Sequence, residues 1–184
     1  MKPSADQFAK VFFAEPLLKV YAILDGASVP ELLPKLDECG PEYACLYRGE
    51  IAPDLAQCAP YLVRLDNRTK FTKWVIEEGW GNHWGVFAAS QVNLGPLRQH
   101  LRTFLRVRGP DNKVLYFRYY DPRVLRMYLP SCNGPELAEI FGPVASYWAE
   151  DAAEGALKHF FVRKGRLVEQ IDFREEEMKT EAAR

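Results

Sequence analysis

The sequence predicts an α/β fold: a mixed sheet flanked by helices, with a small appended C-terminal lobe. Three observations carry that expectation. Short runs of β-branched and aromatic residues alternate with stretches whose apolar residues recur at helical spacing. Gly, Pro, Asp and Asn punctuate the junctions between them. The 184 residues are 48% hydrophobic and 27% charged, the balance of a globular protein with enough apolar surface to offset chain entropy. An α+β arrangement is the alternative.

In chain order, an amphipathic piece at 7–14 precedes Pro16, and the apolar run 17–24 reads as a buried strand ending at the turn Asp25-Gly26. Ser28 caps a helix that reaches Cys39, with Pro30 in its first turn, Leu32, Leu33 and Leu36 inward, and Gly40-Pro41 as its stop. Residues 43–47 and 61–65 are short strands. A helix at 71–78 ends near Gly79, ahead of the loop Gly79-Trp80-Gly81-Asn82-His83-Trp84-Gly85. After a strand at 86–89, Asn93 caps a helix carrying Leu97, Leu101, Phe104 and Leu105. Val107 and a strand at 114–119 flank the turn Gly109-Pro110-Asp111-Asn112, a hairpin signal. Asp121-Pro122 opens a helix over 123–129, with Asp as the cap and Pro in the first helical position.

The composition shifts after Pro130. A loop at 131–135 and a short helix at 136–141 lead to two β-prone runs, 156–162 and 166–173, joined at Arg163-Lys164-Gly165. The charged end, 174–184, is helix-prone but has little apolar face. Residues 1–142 therefore read as the core domain. Residues 143–184 read as an appended lobe, too short to bury a large core alone.

Lys+Arg is 24 and Asp+Glu is 25, for a formal charge of -1, which argues against a chain dedicated to coating nucleic acid. The first seven residues hold no apolar signal core, and no apolar run approaches the roughly 20 residues that cross a bilayer. Cys39, Cys45, Cys58 and Cys132 contain no CxxC pair, so neither a zinc site nor a disulfide framework is expected. The expectation is a cytoplasmic chain with reduced thiols, no cofactor and no membrane partner.

The sequence holds no GxSxG, P-loop, HExxH or GxGxxG motif. His83, His100 and His159 stand apart from one another. His83, in the Gly/Trp loop, is more simply a hydrogen-bonding turn residue than a general base. Asp25 and Asp121 end apolar runs, where α/β enzymes often place carboxylates. A structural role is simpler for each, since Asp25 caps the turn at Gly26 and Asp121 caps the helix before Pro122. Arg118, flanked by Phe117 and Tyr119 on a central-looking strand, needs a carboxylate partner, which Asp121 or Asp25 supplies. Asp25, Arg118, Asp121 and Pro122 are accordingly structural residues, and no reaction is defined.

Between Arg98 and Arg126 lie eight Lys or Arg against two acids. Arg98 and Arg102 share a helix face, and Arg123 and Arg126 lie on the next helix. With interleaved tyrosines this segment suits nucleic-acid phosphates and bases, or an acidic protein that it steers into place. The appended lobe adds Phe160 and Phe161, apolar surface that must pack on the core or on a partner.

Five motifs occur in a fixed order: Tyr21-Ala22-Ile23-Leu24-Asp25-Gly26-Ala27, Ala59-Pro60-Tyr61-Leu62-Val63, Trp84-Gly85-Val86-Phe87, Leu97-Arg98-Gln99-His100-Leu101-Arg102 and Phe117-Arg118-Tyr119-Tyr120-Asp121-Pro122-Arg123-Val124-Leu125. Together they resemble the adaptor (chaperone) proteins of bacterial type VI secretion, a family long classed as a domain of unknown function. The resemblance covers about residues 21–143. It implies a protein that is not an enzyme, that binds a toxic effector and that helps load it onto the VgrG spike inside the producing cell. In that setting Arg98, Arg102, Arg123, Arg126, Phe160 and Phe161 are the expected partner contacts. Nucleic-acid binding through the basic segment 98–126 is the alternative.

Overall fold

The computed structural model describes residues 4–109 and 111–175. Its centre is β1 (Lys19–Asp25), in which every residue after Lys19 is buried. Val20, Ala22 and Leu24 enter one core, and Tyr21 and Ile23 enter another on the opposite face. Alternation in a strand sends successive side chains to opposite faces, so a run that is apolar throughout requires cover on both.

That cover comes from two layers of helices. On one face lie α1 (Ala5–Phe12), α2 (Leu32–Cys39) and α4 (Lys70–Gly79), which contribute Phe8, Phe12, Leu32, Leu36, Phe71, Val75 and Ile76. On the other lie α5 (Leu94–Leu101), α6 (Pro122–Tyr128) and α7 (Gly134–Phe141), with Leu97, Leu101, Leu125, Leu137 and Ile140. Between α2 and α4, α3 (Pro53–Cys58) buries no side chain. The α/β class holds.

The seven-stranded sheet runs β2 (Tyr43–Cys45), β3 (Pro60–Leu65), β1, β4 (Gly85–Ser90), β7 (Val144–Asp151), β8 (Ala156–Arg163), β9 (Arg166–Arg174). Each of these neighbours pairs antiparallel, so the sheet is not the mixed one that the alternation of elements predicts. The connections explain the difference. Both β3 and β4 run opposite to β1, one on each side of it, and the later strands are added beyond β4 as a meander. Through the pairing of β4 with β7, residues 144–174 continue the same sheet.

Local chemistry sets the helix ends. Ser4 and Gln7 form a capping box on α1, as Asn133 and Glu136 do on α7. Thr69 caps α4, and Asp121 caps α6 with Pro122 in its first turn. The helix expected from Ser28 begins only at Leu32, because the Ser28 hydroxyl donates to Asp25 instead. Three buried tyrosines donate to backbone carbonyls: Tyr21 to Val92 in the loop before α5, Tyr119 to Leu101 and Tyr147 to Ile140, at 2.9, 3.0 and 2.9 Å. The last two acceptors are at or near helix C-termini, where carbonyls lack an intrahelical partner.

A second, two-stranded sheet stands apart. It consists of β5 (Arg106–Arg108) and β6 (Val114–Tyr116), joined through Gly109 to Lys113. The strand expected to continue through Tyr119 stops at Tyr116, so Arg118 sits in the connection to α6, where its carbonyl accepts from the Asp121 amide, and not on a central strand. Most of the charged segment 174–184 lies outside the described residues.

Candidate binding surface

The stretch from Arg118 to Arg126 is consumed largely by contacts within the chain. Arg118 pairs with the buried Asp25, which also accepts from the Ala27 amide and the Ser28 hydroxyl, both at 3.1 Å. The Arg118 guanidinium lies 5.9 Å over the Tyr120 ring, and 48% of its side chain remains exposed. Burial lowers its pKa, but the Asp25 carboxylate outweighs that and leaves it raised. Gly26 follows in close quarters: a Cβ there would stand 2.6 Å from the carbonyl oxygens of both Gln57 and Ala59.

Asp121 accepts from the Arg123 amide at 2.9 Å and holds the Arg123 side chain by both oxygens, at 3.0 and 2.6 Å. Burial pushes this carboxyl up; the bonds and charge of Arg123 prevail and hold it below the usual carboxylate range. Arg126 reaches from α6 to Asp151 at the end of β7, and Lys158 approaches the same carboxylate at 3.2 Å. Arg123 and Arg126 are therefore engaged within the fold.

The Arg98 and Arg102 surroundings differ. Arg98 Nε donates to the Cys45 carbonyl at 2.7 Å, and its Nη2 reaches the Tyr47 carbonyl at 3.4 Å. Arg102 Nε is covered from solvent without a hydrogen-bond partner. Beside them Tyr47 has its hydroxyl pKa raised, by burial first and then by the neighbouring Tyr116 and Asp25. Tyr47 thus lies within electrostatic reach of both the Asp25–Arg118 pair and the β5–β6 hairpin. The hairpin exposes Val107, Val114, Leu115 and Tyr116, the last at 71%.

Phe160 is not a contact residue. It is fully buried opposite Tyr147 in the core beneath α7, because its side of β8 faces the helices. Phe161 points the other way, is half-buried and packs 5.0 Å from the His159 ring.

Two further polar clusters are not legible in the sequence. Glu150 on β7 is buried, and its carboxylate accepts from the Gly81 and His83 amides at 2.6 and 2.7 Å while lying 2.8 Å from His83 Nδ1. It thereby holds a loop in which Gly81 and His83 both take positive φ, 81° and 55°. His83 serves that turn. On the outer strands, Asp172 accepts from Trp148 Nε1 at 2.8 Å and lies 3.3 Å from His159 Nδ1, while the His159 and Trp148 rings stack at 4.6 Å. Burial raises the Asp172 carboxyl, but His159, Gln170 and Trp148 together bring it below its ordinary value. Ser146 lines the same groove as His159 and Asp172. Among the described residues, no three His, Cys, Asp or Glu side chains gather as metal ligands.

A family model described as a domain of unknown function, DUF4123, matches residues 20–139. The chain belongs to that family. The DUF4123 match begins in β1 and ends in α7, so it contains the arginines, the hairpin and the Asp25–Arg118 pair but not β7–β9. No curated protein and no solved structure matches the chain. No helix among the described residues is long and apolar enough to cross a membrane.

Proposed function

We propose that this DUF4123 protein is a non-enzymatic adaptor of bacterial type VI secretion. In the cytoplasm it binds a toxic effector and helps load it onto the VgrG spike, with no cofactor. The observation that carries this reading is the hairpin, which exposes four apolar side chains, Val107, Val114, Leu115 and Tyr116, while Arg98 and Arg102, earlier in the same segment, pair with no carboxylate among the described residues. Apolar anchors ringed by Arg and Tyr are the usual composition of protein-binding surfaces. The family match and the ordered motifs support the same reading. In the polar clusters, Glu150 accepts from the Gly81 and His83 amides and Asp172 accepts from Trp148, bonds that hold a loop and two strands, which suits a protein that works through complementary surface.

Co-purification tests it. The tagged chain should retain both the effector and the spike protein, and deleting it should remove the effector from the secreted fraction while the spike is still exported. Retention of neither partner, with effector export unchanged by the deletion, would overturn the adaptor assignment.

A further inference from the structure

The eight basic residues between Arg98 and Arg126 do not form one patch. Arg118, Arg123 and Arg126 pair with Asp25, Asp121 and Asp151, Lys113 pairs with Asp111, and Arg106 and Arg108 are exposed on β5, where Arg108 donates to Asn112. Arg98 and Arg102 have no such partner among the described residues, and neither does Arg48, in the loop after β2. Arg98 is bonded to the Cys45 and Tyr47 carbonyls, Arg102 stands one helical turn beyond it, and Arg48 follows Tyr47 in the chain. We propose that Arg48, Arg98 and Arg102 form a docking site for a carboxylate-rich segment of a protein partner, a proposal that rests on the adaptor reading and specifies the chemistry of what is bound.

Three physical arguments support it. Like charges brought together repel, and the Arg102 guanidinium shows the effect: burial, then the charges of Arg98 and Arg48, lower its pKa. An arriving carboxylate relieves that repulsion and can accept from the terminal N–H groups of these arginines. Arg98 is already fixed by the Cys45 and Tyr47 carbonyls, so little side-chain freedom is lost when its remaining N–H groups engage. The exposed Tyr116, near Tyr47, offers an apolar anchor at the rim.

A polynucleotide fits less well. Tracking a phosphate backbone takes a sustained row of free cations. Here the row is interrupted wherever an arginine is committed to an aspartate of the fold, and the whole chain carries a formal charge of -1.

The test uses the full chain and a fluorescently labelled deca-glutamate peptide, read by anisotropy. Wild type should bind it, and Arg48→Glu and Arg102→Glu should each weaken binding about tenfold or more. Arg166→Glu makes the same charge change on β9, at the opposite edge of the sheet, and should alter binding less than about twofold. Arg48 is exposed, so its variant keeps the test decisive even if Arg102→Glu fails to fold. Three results overturn the proposal: no binding by wild type, equal loss in Arg166→Glu, or tighter Arg48-dependent binding of a deca-thymidylate, which would favour nucleic acid. Failure of the adaptor reading is seen separately, as a wild-type chain that retains neither effector nor spike.

Discussion

Arg118 and Asp25 stand 93 residues apart in the chain, and their side chains pair where β1 ends. The pair is asymmetric: Asp25 is buried and serves Ala27 and Ser28 as well, whereas Arg118 is half-exposed. Removing Arg118 leaves the carboxylate with two donors; removing Asp25 strands an amide, a hydroxyl and a guanidinium together.

Asp25→Ala should therefore be the costlier change, by about 2–4 kcal/mol, because it leaves several polar groups unsatisfied at once. Arg118→Ala should cost about 1–2 kcal/mol, a value reduced by solvent screening of its exposed side. Urea midpoints of the two variants give the ordering directly. A stable Arg118→Ala that no longer retains a partner would instead make Arg118 a contact residue.

The Gly/Trp loop yields a second ordering. Glu150→Ala removes the acceptor of the Gly81 and His83 amides and should destabilise by about 2–3 kcal/mol. His83→Ala keeps both amide bonds and should cost about 1 kcal/mol or less, with partner co-purification intact. If a folded His83→Ala protein retained both partners yet failed in effector delivery, the imidazole would have a chemical role.

How far such features are legible in a sequence depends on how local they are. The helix start at Asp121 follows from its cap and the adjacent Pro122, and β1 follows from its unbroken apolar run, whereas α7 begins at Gly134, two residues before the expected start, capped by Asn133. Two elements leave no such trace. In α3 no side chain is buried, so no apolar stripe marks it. In β7 both faces are covered and Glu150 and Asp151 are buried at its end, so neither alternation nor polarity reads as a strand. Strand order is non-local: nothing near β4 in the sequence indicates β7 as its neighbour. For the same reason the choice between adjacent Phe160 and Phe161 is open until the register with β7 is known. The charges of the basic segment are visible in the sequence as candidates for a partner, yet only spatial pairing separates Arg98 and Arg102 from Arg118, Arg123 and Arg126.

The titration of the fold has a definite sign. Burial holds the His100 ring below the ordinary histidine value, with Ile140 and Glu139 opposing only in part, and its Nε2 lies 3.1 Å from the Ile140 carbonyl. A group protonated more readily when unfolded makes stability fall as the pH falls, here from about pH 6.5 down through the lower folded value. Burial pushes the Asp121, Asp151 and Asp172 carboxyls up, but their basic and hydrogen-bonding partners prevail and depress all three. Their contribution is present above about pH 4 and is lost below it. Urea midpoints measured from about pH 7 to about pH 3 should fall in two stages. His100→Gln should flatten the upper stage only; an unchanged upper stage would assign it to another group.

The hairpin gives the most direct test of the binding surface. Leu115 and Tyr116 are exposed on a two-stranded sheet that joins no other strand, so the core does not depend on them. Leu115→Ser and Tyr116→Ser should each shift stability by only about 0.5 kcal/mol. If the hairpin anchors a partner, retention of the effector or the spike should fall about tenfold, the equivalent of about 1.4 kcal/mol. Phe160→Ala provides the contrast: its buried ring lies in the core, so a loss of about 3–5 kcal/mol should accompany any loss of binding. Co-purification beside a urea midpoint separates the two mechanisms, since only the hairpin variants should lose a partner while remaining folded. Folded Leu115→Ser and Tyr116→Ser proteins that keep both partners would move the contact away from the hairpin. The half-exposed edge formed by β9 would then be the next surface to alter, through Val168 and Ile171, whose side chains are not enclosed by the core.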